Sequence, residues 1–138
     1  MQAPTGEESS AMDVLDHATQ PQEHWRDGVR TLMRVSATVQ SRQLCIFEQY
    51  CDPGLGAPMH LHAVEEVLEV IAGTAEITLR DETRTVTANQ SVLIPAGARH
   101  GFRNVGAEIL HVRATLAASI FEASYDDRNE LSRRYVPD

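Results

Sequence analysis

The chain reads as an all-β, antiparallel sandwich or barrel, and three observations predict it. Short runs rich in branched and aromatic residues recur from about Val29 to Leu116. Gly, Pro, Asn and Asp interrupt them at short intervals, as turns between strands require. Within the runs apolar and polar residues alternate, which is the period of a strand with one buried face.

The elements follow in order. Residues 1–24 are polar, rich in Gln, Glu, Ser and Thr with Pro4 and Pro21, and are expected to form a loose arm. Residues 25–117 are assigned to the barrel, with Trp25 expected to pack across its mouth. Strands are predicted over 43–50, 66–71, 75–79, 83–87, 91–94, 100–103 and 109–116. Arg80-Asp81-Glu82-Thr83 suits a hairpin turn. Only fifteen residues separate Gly73 from Asn89, room for two strands and a turn but not for an inserted lid. Residues 118–138 are read as a tail. Within it, 126–134 is expected to form a short helix, with acids early and arginines late as the helix dipole favours.

Bulk properties narrow the function. At 138 residues the chain is expected to be one domain. Its net charge of −8 argues against nucleic acid, whose phosphates it would repel. All 12 basic residues are arginine, so a Schiff-base lysine is excluded. No apolar run reaches the ~18 residues of a membrane span. Residues 1–10 lack a basic and then apolar leader, so a cytoplasmic location is expected. Cys45 and Cys51 lie on one predicted strand. Extended, they stand roughly 20 Å apart, whereas a disulfide needs Cα atoms within about 7 Å. Both are expected to be buried, reduced thiols.

Two stretches carry the chemistry. The first holds Gly54, His60, His62, Glu66 and Gly73; the second holds Asn89, Pro95, Gly97, His100 and Asn104. On one strand His60 and His62 point the same way. Glu66 has the same parity and joins them where the strand stays regular, while His100 must come from another strand. Three imidazoles and a carboxylate suit a divalent transition metal. Asn89 occupies a turn position, where asparagine tolerates left-handed backbone.

These residues resemble the two motifs of the cupin superfamily, G-x5-HxH-x3-4-E-x6-G and G-x5-PxG-x2-H-x3-N, with Asn89 as the one departure. The resemblance covers about residues 40–117. It implies a double-stranded β-helix, or jelly-roll barrel, of the small single-domain type. It also implies one divalent metal, iron, manganese, nickel or zinc, on His60, His62, Glu66 and His100.

The remaining residues are read beside that set. Leu68 and Val70 share the parity of Glu66, and Phe102 that of His100, so all three are expected to line the cavity. Glu65 has the opposite parity and is expected to face solvent, the alternative being a bulge that makes it the ligand. Glu69 is read as a solvated or interfacial charge. Asn104 is expected to brace a turn. His111 and Arg113 share a face of the last predicted strand. Inward they offer a general base and a carboxylate grip; outward they leave the core to Leu110, Val112 and Ala114, which the alternation supports. No residue beyond the ligands is assigned a catalytic role.

The resemblance implies a metal-dependent enzyme acting on a small organic molecule, with oxygenase chemistry ahead. The alternatives are a non-catalytic binding or sensing protein, and a sugar isomerase or epimerase. Neither nucleic acid nor membrane is an expected partner. A homodimer is, through the sheet face bearing Val67 and Ile71.

Overall fold

The computed structural model describes residues 12–127 and 131–137. Its strands are β1 (Gln22–Arg26), β2 (Val29–Val35), β3 (Cys45–Cys51), β4 (Gly56–Leu61), β5 (Glu66–Ala72) and β6 (Thr74–Leu79). They continue with β7 (Glu82–Thr87), β8 (Gln90–Ile94), β9 (His100–Asn104), β10 (Leu110–Leu116), β11 (Phe121–Tyr125) and β12 (Leu131–Arg134). Two antiparallel sheets result. The first runs β1-β2-β3-β10-β5-β8 and the second β12-β11-β4-β9-β6-β7. This is a jelly-roll arrangement. Among the described residues no helix is long and apolar enough to cross a membrane.

Alternation explains the core. On β3, Cys45, Phe47, Gln49 and Cys51 are buried while the residues between them are half-exposed. On β10, Leu110, Val112, Ala114 and Leu116 are buried, with His111 and Thr115 half-exposed and Arg113 exposed between them. These rows meet Leu68 and Val70 of β5 and Ile77 of β6 in one apolar cluster. Each fully buried Leu or Val there contributes about 1.5–3 kcal/mol. Two turns use left-handed backbone, that at Asn89 as the sequence suggests: Asn89 has φ 69° and Gly73 φ 94°. Gly73 is doubly constrained, because a Cβ there would stand 3.0 Å from the Ile109 carbonyl oxygen. The β6–β7 hairpin turns at Arg80-Asp81, with Arg80 at φ 57°.

Three expectations need correction. The helix expected over 126–134 is not the structure at its end: Leu131–Arg134 is strand β12, paired antiparallel with β11. Arg133 meets Glu122 at 2.7 Å and the Arg134 guanidinium lies 4.4 Å from the centre of the Trp25 ring. Those cross-strand contacts outweigh the weak dipole preference for a helix, and residues 128–130 lie outside the described residues. The arm is not loose to residue 24, because β1 starts at Gln22 and pairs with β2. Tyr135 donates to Glu23, which ties β1 to the segment after β12. Residues 1–11 of the arm lie outside the described residues. Finally, β4 and β5 are not one regular strand: the chain leaves the second sheet after Leu61 and joins the first at Glu66.

Candidate metal centre

The site lies between the two sheets. His60 on β4 stands directly opposite His100 on β9, and Tyr125 of β11 flanks His60 on its other side. Between Ala57 and His60 the β4–β9 register slips by one residue, a bulge at Pro58-Met59. Bulges re-aim side chains. Here the slip lets odd-numbered Ala57 and even-numbered His60 both line the cavity. Proline suits that position because it has no N–H to offer a ladder. The two strands also cross tightly, since a Cβ on Gly56 would stand 2.1 Å from the Phe102 carbonyl oxygen. A Pro95–Ala98 turn, with Gly97 at φ 77°, leads into His100, and the Gly97 N–H donates to the His62 carbonyl at 2.8 Å. Glu66 reaches in from the opposite sheet.

All four residues are buried, and their potential ligand atoms lie within 4.8 Å of one another. Each imidazole is oriented by its far nitrogen. Nδ1 of His60 donates to Pro58 O at 2.7 Å, that of His62 to Glu122 O at 2.7 Å, and that of His100 to Ala98 O at 2.9 Å. A carbonyl only accepts, so each Nδ1 carries the proton. That directs Nε2 of His62 and His100 toward Glu66, whose Oε1 lies 3.3 and 2.8 Å from them. Fixing the far nitrogen in this way is how metal-binding histidines are held.

Electrostatics agree with a cation site. Burial, then the neighbouring His100 and His62, push His60 down to about 3, so that ring is neutral. Burial alone would raise Glu66, but hydrogen bonds from His100 and His62 hold it down to about 2. Burial also opposes charge on His62, yet Glu66 beside it raises its pKa. The carboxylate therefore seeks positive charge, supplied by a proton on His62 or by a metal ion. The donor set fits a divalent transition metal: three imidazoles, one carboxylate and no thiolate.

The four residues line one cavity of about 410 Å³, which includes its open mouth. Leu68 and Phe102 line it; Val70 is fully buried in the core but does not. Val70 lies one step too far along β5, opposite Val112 and Gln90. The sequence reading missed Arg26, Phe47, Gln49, Phe121 and Tyr125, which also form the wall. Alternation from Cys45 gives the facing of Phe47 and Gln49, and on β11 the alternation of Phe121, Ala123 and Tyr125 with Glu122 and Ser124 was there to be read; Arg26 sits on a short polar strand without a clear period. Trp25 lines the cavity too, its ring centre 4.6 Å from that of Phe121 and 5.6 Å from that of Phe47.

The other residues fall outside the site. Glu65 is exposed. His111 and Arg113 face away from the core, His111 meeting Glu48 at 2.5 Å and Arg113 meeting Glu69 at 2.7 Å. The Asn104 amide donates to Cys51 O and Glu108 O and accepts from Gly106 N, so it braces the turn after β9. Cys45 and Cys51 are free and buried, and burial pushes both thiols up to about 12.

The family model for the cupin domain matches residues 47–117. The chain belongs to the cupin superfamily. Curated relatives of this cupin include mannose-1-phosphate guanylyltransferase 2 of Escherichia coli O157:H7, 47% identical over 53 residues, or 38% of this chain and 11% of that protein. The polyketide synthase CurC of Streptomyces cyaneus is 42% identical over 57 residues, 41% of this chain and 37% of its own. The chain thus spans 11–16% of the length of the first guanylyltransferases it matches. Among solved structures, the polyketide cyclase RemF from Streptomyces resistomycificus superposes with a TM-score of 0.68 at 17% identity, covering 93% of this cupin and 88% of that chain.

Proposed function

We propose that this cupin holds one divalent transition metal on His60, His62, Glu66 and His100 and acts on a small planar compound that chelates through two oxygens. The observation that carries the reading is the convergence of oriented imidazole nitrogens and a carboxylate in a buried, partly aromatic cavity. When bound, the metal supplies Lewis acidity to a chelating enol or diol and, as iron, the redox capacity of an oxygenase. The protein's residues do the rest. Backbone carbonyls hold a proton on each Nδ1 and keep Nε2 aimed inward. Glu66 stays ionised and offsets part of the metal's charge. Trp25, Phe47, Phe102 and Phe121 exclude water and offer flat surfaces to a planar ligand. Two similar proteins carry polyketide names, which supports a flat compound with neighbouring oxygens.

A binding role without turnover is the second reading, favoured by the placement of His111 on the outer face with Glu48, which leaves the cavity wall, among the described residues, without a histidine beyond the three candidate ligands. We also propose a homodimer through the outer face of the first sheet. There Ile46, Thr115, Val67 and Leu93 stand side by side across four strands, with Val67 38% and Leu93 60% exposed.

The deciding experiment starts with elemental analysis of protein purified without chelator. Anaerobic loading with iron, then air and a panel of aromatic diols and diketones, follows oxygen uptake and the metal spectrum; a zinc-loaded sample follows product formation without oxygen. Turnover of any chelating compound supports the enzyme. Spectral change without turnover leaves the binding reading, and a protein that retains no metal sinks both.

A further inference from the structure

We propose that Arg26 and Gln49 read the ligand beside the metal, Arg26 taking an anionic oxygen at the cavity mouth and Gln49 a hydroxyl within it. This rests on the metal-dependent reading above and narrows its substrate class to hydroxylated anions.

Gln49 is the first observation. It sits on the inward face of β3 between Phe47 and Cys51, is 5% exposed, and lines the cavity that holds the four candidate ligands. Its Nε2 donates to Thr31 Oγ1 at 3.0 Å, across the β2–β3 pair where the two residues stand directly opposite. That bond fixes the amide plane. It leaves Oε1 with no donor among the described residues. That oxygen is not sealed in the core, since among the described residues the one fully buried side-chain polar atom without a partner is Arg134 Nε; it is left open to the cavity that Gln49 lines. Its neighbours along β3 on that face, Cys45, Phe47 and Cys51, are apolar; the bond to the buried Thr31 hydroxyl accounts for the amide nitrogen but not for the oxygen. A ligand hydroxyl at the metal site would complete it.

Arg26 is the second. Seven arginines of this acidic chain (Arg30, Arg34, Arg84, Arg99, Arg103, Arg113 and Arg133) pair with carboxylates. Arg26 has no carboxylate partner among the described residues, although acids outnumber bases by 20 to 12. Its guanidinium instead lies 5.4 Å from the centre of the Tyr125 ring, a cation–π contact that does not use its N–H donors. Arg26 lines both the metal cavity and the wider outer groove beside Gly56 and Met59, which places it at the boundary between inside and outside.

Charge then selects the ligand. A divalent ion against the single charge of Glu66 leaves one positive charge, and Arg26 adds a second. Such a site suits a ligand that brings two negative charges, for example an ionised diol with a carboxylate, or a dienolate.

Calorimetric titration of zinc-loaded protein tests this with four probes: catechol, pyrogallol, and 2,3- and 3,4-dihydroxybenzoate. The wild type should bind pyrogallol and the better dihydroxybenzoate each about tenfold more tightly than catechol, the size of one good charge-assisted or buried hydrogen bond. Arg26→Gln should erase the dihydroxybenzoate preference and keep that for pyrogallol. Gln49→Met should do the reverse, and both should keep wild-type zinc content. If the wild type binds catechol but shows neither preference, this inference fails while the metal-dependent reading stands, and that comparison needs no variant to fold. Preferences that survive both substitutions also overturn it. Binding of none of the four overturns the inference and the chelating-ligand reading together.

Discussion

Glu66 and Glu48 lie on opposite faces of the first sheet, and each meets histidine, yet the two clusters are built for different ends. Inside, Glu66 faces His62 and His100 through one oxygen, and its ion-pair partners are histidines. Outside, Glu48 spends both oxygens: Oε1 on His111 at 2.5 Å and Oε2 on Arg34 Nε at 2.7 Å. The His111 ring lies flat on Tyr50, with centres 4.2 Å apart. An arginine cannot release its charge, so the outer carboxylate is already neutralised. The inner one is balanced only by groups that lose a proton readily. Histidine beside glutamate is therefore a poor definition of a metal site. What distinguishes the inner cluster is convergence of lone pairs that no permanent cation has claimed.

The contrast can be broken from either side. The largest effect should come from the inner cluster: His62→Ala should lower metal content severalfold by elemental analysis, whereas His111→Ala should leave it unchanged. Next comes the apolar row beside the outer cluster. Light scattering should give about 31 kDa for the wild type, twice the 15.3 kDa chain, and a monomer for Val67→Glu/Leu93→Glu. A wild-type monomer would remove the dimer proposal. The smallest effect is on stability. Glu48→Gln keeps the shape but loses the charge facing Arg34, and should cost about 1–2 kcal/mol in denaturant unfolding, since the pair is mostly but not fully buried.

That substitution also has a pH signature. Burial would raise Glu48, but hydrogen bonds from Arg34 and His111 outweigh it and hold its pKa below the ordinary 4.5. The folded state then binds fewer protons than the unfolded chain. The stabilisation is complete above pH 4.5 and is lost as pH falls through the lowered folded value. Glu48→Gln should flatten this part of the acid limb; an unchanged limb would mean that Glu48 contributes nothing to acid sensitivity.

Strands with strong alternation were legible in the sequence. β3, β5 and β10 declare their inward faces through Cys45/Phe47, Leu68/Val70 and Val112/Ala114. The four candidate ligands were legible because family spacing names them. The route that brings them together was not. Parity joins Glu66 to His60 and His62 only where the strand stays regular, whereas the chain changes sheet between Leu61 and Glu66. β1 and β12 were missed because Gln22-Glu-His-Trp-Arg and Leu131-Ser-Arg-Arg carry little local signal, and β11 because its short alternation, Phe121-Glu-Ala-Ser-Tyr, lies within a stretch read as a polar tail. They are held by contacts distant in sequence, among them Trp25 with Phe121, Arg26 with Tyr125, and Arg134 with Trp25. Gln49 had the right parity, but an amide on an apolar face gains meaning only when its surroundings are known.

The anchors of the three imidazoles have unequal reach. His60 and His100 are each held by a carbonyl two residues earlier, within a local unit of the chain. His62 is held by Glu122, sixty residues away on β11. Removing β11 from its place would free that Nδ1 proton and let the ring swivel. Coupling of this kind is reciprocal: if a docked β11 strengthens metal binding, metal must strengthen docking of β11 by the same factor. The last hairpin of the barrel, which carries Phe121 and Tyr125 into the cavity wall, would then act as a gauge of occupancy, firmest when the ion is in place.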